Sequence, residues 1–432
     1  MSKKTEIWLD LTDMLVWRGT YTGIQRVTYE YAKRFSNDGA RFFAYDGIAS
    51  RFIEIPFDLI ESLKVDNPST KLEVEHVTVR RKIRRVVGSP YYILPPPAKK
   101  MLGPAARAAN RTARSILHVV LSQHPPRSPY NSYPDVTFND GDSVVLLGAG
   151  WNESTVLEKL AYIKERTSIN IVQHVNDILP IYQPQLFADE LPQIFRPYID
   201  RVIHSADKIS VISKATQRDI QIYCKENSTP TPLIQFIQLG DDPQMVKSIR
   251  PEGIDAEERF ILAVGTFEVR KNYTLLYQAM KLAQLEGREI PKIVIVGRRG
   301  WLSDDIAHIL KHDPLAKERI LWLDTVGDEQ LEWLYKNCLF TVFPSLGEGW
   351  GLPIVESLQH GKFCLASGVS SMLEIGEGLV DYFLPYDARE CLEKINYYLV
   401  DRRYEDANKK VVSNYKPYTW DKSYKELKKF VG

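Results

Sequence analysis

From Phe343 to Glu356 the chain reads Phe-Pro-Ser-Leu-Gly-Glu-Gly-Trp-Gly-Leu-Pro-Ile-Val-Glu: the end of an apolar strand, a glycine-rich turn, then a helix that Pro353 is suited to begin. Gly347, Gly349 and Gly351 let backbone N–H groups approach a ligand, and the N-terminus of the following helix favours negative charge. A diphosphate fits that cradle. Glu348 and Glu356 would repel it, but carboxylates placed there can accept hydrogen bonds from the hydroxyls of a sugar or ribose. The two features together point to a polyol joined to an anion.

Glu348 and Glu356, with seven residues between them around the core Gly349-Trp350-Gly351-Leu352-Pro353, and then Gly361 and Ser370-Ser371-Met372-Leu373-Glu374, resemble glycosyltransferase family 4. In that family the first glutamate lies near the donor sugar and the second holds the ribose. Val264-Gly265-Thr266-Phe267-Glu268-Val269-Arg270-Lys271-Asn272 is similar to the family's phosphate clamp at a strand end, with Lys271 on the diphosphate. Thr266 stands where an Arg often follows the Gly, so Arg270 would supply the second positive charge. Val296-Gly297-Arg298-Arg299-Gly300-Trp301 resembles the loop beside the nucleotide base, and Gly19 to Val27, with Gly23, the glycine loop facing the donor across the cleft. His174-Val175-Asn176-Asp177-Ile178-Leu179-Pro180 corresponds to a His-Asp-x-x-Pro segment near the reacting sugar; Asn176 replaces the His, with His174 two positions earlier, and the sequence leaves open which of them faces the sugar.

The resemblance implies an α/β protein of the GT-B kind, two Rossmann-like doubly wound parallel-sheet domains facing across a cleft. It implies a retaining hexosyltransferase that takes its sugar from a nucleotide-diphosphate donor, mannose first and rhamnose or a UDP-sugar next. The acceptor would be a growing, lipid-linked surface-polysaccharide glycan. Glu348, Lys271 and Arg270 would be catalytic. Gly23, Asp177, Gly265, Arg298, Gly349, Trp350, Gly351, Leu352 and Glu356 would complete the donor site. Two other readings are a nucleotide-sugar epimerase of the same fold and a catalytically silent, nucleotide-sugar-binding scaffold of a polysaccharide assembly complex.

No metal is expected, because the cations and amides would take its place at the diphosphate. Asp140-Gly141-Asp142 has the spacing of a divalent-ion motif but precedes an apolar strand and reads as a turn. His308 and His312 lie one helical turn apart with no third ligand evident.

The elements that must position these residues are legible as short apolar runs: Ile7 to Leu9, Val144 to Leu147, Ile169 to Val172, Ile209 to Ile212, Phe260 to Val264, Lys292 to Val296, Arg319 to Leu323 and Leu339 to Phe343. Helix-period segments separate them, the pattern of parallel sheets covered on both faces. With 432 residues, 44% of them hydrophobic and 26% charged, the chain has material for two large domains. The polar stretch from Gln238 to Glu258 marks a boundary, giving an N-terminal domain over 1–245, a donor domain over 255–415 and a terminal helix over 416–432. Four scattered cysteines suit a reducing compartment, and no run is long enough for a membrane-spanning helix, so the chain is expected in the cytoplasm.

Net charge is +1, yet His76 to Pro134 holds eleven basic residues and no Asp or Glu, leaving −10 for the remainder. This segment breaks the alternation and reads as an insertion containing a helix from about Ala98 to Leu121. Lys100, Arg107, Arg111 and Arg114 would fall along one face of it, beside apolar neighbours. That arrangement suits an anionic membrane surface at the inner face of the membrane, where a lipid-linked acceptor would lie; no nucleic-acid motif accompanies the charge.

Overall fold

The computed structural model describes residues 5–17, 21, 23–64, 128–242 and 246–432. Most of the basic segment, with Lys100, Arg107, Arg111 and Arg114, lies outside the described residues. Its end is described. Residues 128–136 run along the edge of the first sheet, where Glu54 N donates to Pro134 O at 2.9 Å and Val136 N to Phe52 O at 3.1 Å.

Two sheets organise the chain. The first holds β1 (Ile7–Asp10), β2 (Arg41–Asp46), β3 (Arg51–Glu54), β4 (Ser143–Leu146), β5 (Asn170–Val175), β6 (Lys208–Val211) and β7 (Leu233–Phe236), in the order β3-β2-β1-β4-β5-β6-β7. The second holds β8 (Phe260–Val264), β9 (Lys292–Val296), β10 (Ile320–Leu323), β11 (Thr341–Phe343), β12 (Cys364–Ser367) and β13 (Val380–Phe383), in the order β10-β9-β8-β11-β12-β13. All pairings are parallel except β2 with β3.

The central strands read as unbroken apolar runs because helices cover both faces. Phe260, Ile261, Leu262 and Ala263 of β8 are fully buried and sit in register with Lys292 through Ile295 of β9. Five strands were not apparent as apolar runs: β2, β3, β7, β12 and β13. Two of these, β7 and β13, are edges carrying polar residues on partly open faces, and β3 is an antiparallel edge strand on an otherwise parallel sheet.

In both sheets the strand order reverses once, between β1 and β4 in the first and between β8 and β11 in the second. Loops leaving two such strands diverge to opposite faces and open a crevice at the carboxyl ends, where ligands of doubly wound folds bind. Gly265, Arg270 and Lys271 follow β8, and Glu348 to Glu356 follow β11.

The chain finally returns to the first sheet. The helix Trp420–Val431, capped by Thr419, buries Trp420, Tyr424, Leu427 and Val431 at three- and four-residue spacing. Its Ser423 Oγ lies 2.7 Å from Tyr31 Oη on the helix Ile24–Asn37, and Lys208 Nζ donates to Phe430 O at 2.8 Å. Among the described residues no helix is long and apolar enough to cross a membrane.

Candidate functional site

The carboxyl ends of β8 and β9 pack backbone against backbone. A Cβ on Gly297 would lie 2.0 Å from Gly265 O, so only glycine fits there. Beyond Gly265 the chain makes a single turn, Val269–Lys271, and enters the helix Tyr273–Leu285 through Asn272 in the left-handed conformation (φ 57°). Asn272 Nδ2 donates to Pro344 O at 3.1 Å and Pro385 O at 2.7 Å, fixing this turn against the glycine-rich loop. Arg270 and Lys271 are thereby brought to Glu348.

Lys271 Nζ donates to Glu348 Oε1 at 2.7 Å and lies 4.9 Å from the centre of the Phe343 ring. Ser345 Oγ donates to the same oxygen at 2.5 Å. Arg270 Nη1 is 2.6 Å from Glu348 Oε2 and donates to Gly347 O at 2.9 Å. Arg270 Nη2 is 2.7 Å from Glu268 Oε1, an ion pair without hydrogen-bond alignment. Burial alone would raise the Glu348 carboxyl, but Arg270 and Lys271 outweigh it and hold it down to about 2. Burial lowers Lys271, against the pull of Glu348, and raises Glu268, against the pull of Arg270. The cluster is a largely buried network of two cations and two carboxylates in a crevice.

The loop from Glu348 to Gly351 is held from behind. Ser370 Oγ and Ser371 Oγ donate to Glu348 O at 2.9 and 2.8 Å, and Ser371 Oγ also to Trp350 O at 2.6 Å. Trp350 is 6% exposed and packs 6.2 Å from Phe236 of β7, so its ring braces the two halves against each other. Gly351 precedes the helix Leu352–Gln359, which carries Glu356 on its second turn. Tyr335 Oη donates to Glu356 Oε2 at 2.9 Å, and the Tyr335 ring stacks on His360 at 4.6 Å. Glu356 Oε1 lies 3.3 Å from Arg26 Nη1, which comes from the other half of the chain.

That other half forms a roof. Asn176 O faces Gly349, and Asp177 accepts from Leu179 N at 3.0 Å while sitting within the field of Arg270; burial raises its carboxyl. His174 does not reach the cleft. It is 2% exposed, with Nδ1 2.9 Å from Ser210 Oγ and its ring edge-on to Tyr31, and burial pushes it down to about 4. Asn176 and Asp177 are therefore the residues of this segment at the cleft. Trp301 Nε1 donates to Leu186 O at 2.9 Å and its ring stacks on Phe187, a second contact between the halves. Arg298 is exposed on the same loop. Gly23 precedes the helix Ile24–Asn37 with φ 50°, and among the described residues nothing lies within 4 Å of a Cβ built on it.

Asp140 and Asp142 lie at the amino end of β4, away from the cleft. Asp142 accepts from Glu6 N, Asn139 N and Trp8 Nε1, and Asp140 from Ser168 N, so both serve a turn. The His308 and His312 rings lie 4.4 Å apart, tilted by 37° to each other. Among the described residues no group of three His, Cys, Asp or Glu is arranged for a metal ion.

Glu268, Ser345, Tyr335 and Arg26 join the site without having been singled out from sequence. Glu268 and Ser345 lie within two residues of Arg270 and Gly347, so proximity to the motifs was the available signal; Tyr335 and Arg26 meet Glu356 only through the fold.

Residues 245–416 match the family described as glycosyl transferases group 1. The serotype-specific mannosyltransferase WbdA of Escherichia coli is 27% identical over 235 residues, 51% of this chain and 29% of that protein. The O-antigen chain mannosyltransferase B of Escherichia coli is 37% identical over 120 residues, 28% of this chain and 31% of that protein. The matches thus span under a third of the length of these two relatives. Among solved structures, sucrose-phosphate synthase from Thermosynechococcus elongatus aligns with 99% of this chain and 98% of its own, at 15% identity and a TM-score of 0.59. The fold is GT-B: two parallel-sheet α/β domains with the crevice of the second opening toward the first.

Proposed function

Given a C-terminal domain of the group 1 glycosyltransferase kind, we propose that this protein transfers a hexose, mannose in the first place, from a nucleotide-diphosphate sugar to a growing, lipid-linked surface-polysaccharide glycan, with retention of anomeric configuration. The observation that carries the reading is the placement of Arg270 and Lys271 after β8 and Glu348 after β11, on the two sides of the point where the strand order reverses. Two fixed cations, with the amides of Gly349 to Gly351, would stabilise charge developing on a departing diphosphate, and preorganised groups in a dry site do so with little reorganisation. Glu348, kept ionised by those cations, would accept from the donor sugar's hydroxyls, and Glu356 from the ribose. No metal is needed at the diphosphate in this scheme.

The choice of a mannosyl donor and a polysaccharide acceptor is supported by the names of the relatives, a serotype-specific mannosyltransferase and an O-antigen chain mannosyltransferase. The acceptor would occupy the crevice of the first sheet, between the loops after β1 and β4. The basic residues of 76–134 would hold the protein on an anionic membrane; sedimentation with anionic but not neutral liposomes, lost when Arg107, Arg111 and Arg114 are reversed in charge, tests this. The direct test of the activity is incubation with GDP-mannose and a synthetic lipid-linked acceptor, followed by mass spectrometry and NMR of the product. One added hexose in the α configuration of the donor supports the proposal. Hydrolysis or epimerisation of the donor without transfer would refute it.

A further inference from the structure

The cationic clamp has no charge to spare. Arg270 is paired with Glu268 at 2.7 Å and Glu348 at 2.6 Å, and Lys271 with Glu348 at 2.7 Å. Two positive groups face two negative ones, and Asp177 adds a further carboxylate within the field of Arg270. A diphosphate entering this network brings more negative charge into a site where screening by water is weak. A third cation beside Arg270, Lys271 and the loop amides would offset that added charge.

Arg26 is placed to do so. It lies in the first turn of the helix Ile24–Asn37, beside Gly23, where among the described residues nothing lies within 4 Å of a Cβ position. Its guanidinium crosses to Glu356 Oε1, but loosely: 3.3 Å is longer than a tight charge-assisted hydrogen bond, and the two side chains are 27% and 22% exposed. The other Glu356 oxygen is fixed by Tyr335 at 2.9 Å. Glu356 thus presents one anchored oxygen and one that a ribose hydroxyl can take over. Glu356 lies five positions after Gly351, about 7.5 Å along a helix axis, so a guanidinium displaced from Glu356 stays within one side-chain swing of the cradle amides.

We propose that Arg26 is a donor-binding residue supplied by the first domain: ribose displaces it from Glu356, and the released guanidinium pairs with the diphosphate. Donor binding would then exchange one contact between the domains for another that runs through the ligand. This inference rests on the nucleotide-sugar reading of the site.

Calorimetric titration of the wild type, Arg26→Ala, Arg26→Lys and Glu356→Gln with a nucleoside, its diphosphate and its diphosphate sugar separates the possibilities. Arg26→Ala should weaken diphosphate and diphosphate-sugar binding by about tenfold or more, the size of a lost charge-assisted contact, and leave nucleoside binding equal or tighter. Arg26→Lys should recover part of the loss. Glu356→Gln should weaken all three ligands together. Diphosphate binding unchanged by Arg26→Ala, or nucleoside and diphosphate weakened equally, would overturn the role of Arg26. A wild type that binds no nucleotide at all would instead overturn the function proposed above.

Discussion

A Cβ on Gly349 would lie 2.5 Å from the carbonyl oxygen of Asn176 and 3.1 Å from Asp177 Oδ2, so the two domains meet at a point where neither can give without separating. The Asn176 carbonyl is itself held by Thr216 Oγ1 at 3.1 Å. Gly349→Ala should therefore hold the domains apart while each remains folded. We expect an increased radius of gyration in X-ray scattering and transfer reduced on the order of 100-fold, the cost of misplacing groups that must converge. Wild-type scattering and turnover in Gly349→Ala would show that closure at this point is not needed.

Lys271→Ala removes a buried cation from the cluster and leaves Glu348 with Arg270 and Ser345. Transfer should fall on the order of 100-fold or more, mostly in kcat, because the lost interaction strengthens as the diphosphate departs. A loss confined to KM would place Lys271 in ground-state binding alone.

His174 gives a stability signature. Burial holds it at about 4 in the folded protein, below the unfolded value of about 6.5, so the unfolded chain takes up the proton first. Its contribution is complete above about pH 6.5 and is lost as pH falls toward 4, about 2 kcal/mol between pH 8 and pH 5. Asp10, which burial raises to about 6, acts in the opposite sense over an overlapping range, so the wild type must be compared with His174→Gln. Urea unfolding at the two pH values should show wild-type stability falling further than that of the variant by about 2 kcal/mol. Parallel losses would mean that His174 is not the buried neutral group described here.

The local part of the site was open to reading from sequence. The glycine turn, the seven residues between Glu348 and Glu356 and the Arg270-Lys271 pair all lie in short segments whose backbone chemistry is fixed by nearby residues. What joins them is not local. Arg26 and Glu356 are 330 residues apart, Tyr31 and Ser423 are 392, and the Gly349 contact with Asn176 depends on how two sheets face each other. His174 was ambiguous for the same reason, since a histidine at a strand end points up into a cleft or down onto Tyr31 according to strand register. The strands that lacked an apolar run include the edges β7 and β13, where Gln235, Asp381 and Tyr382 interrupt the pattern because one side of the strand has no neighbour to bury against.

Transfer should persist in excess EDTA, because in the proposed scheme Arg270, Lys271 and the loop amides would take the place of a divalent ion at the diphosphate. Loss of activity with chelator, restored by Mg²⁺ or Mn²⁺, would require a metal in the mechanism.

The most direct test of the central claim is thermal unfolding of the protein with GDP-, UDP- and dTDP-sugars, run beside a Lys271→Ala, Glu356→Ala double variant. A ligand that binds only the folded state stabilises it by about 2.7 kcal/mol at a hundred times its Kd, which shifts Tm by several degrees. The account predicts that one nucleotide class, GDP with mannose foremost, raises Tm in the wild type and not in the double variant. No shift with any nucleotide sugar, or an equal shift in both proteins, would contradict it.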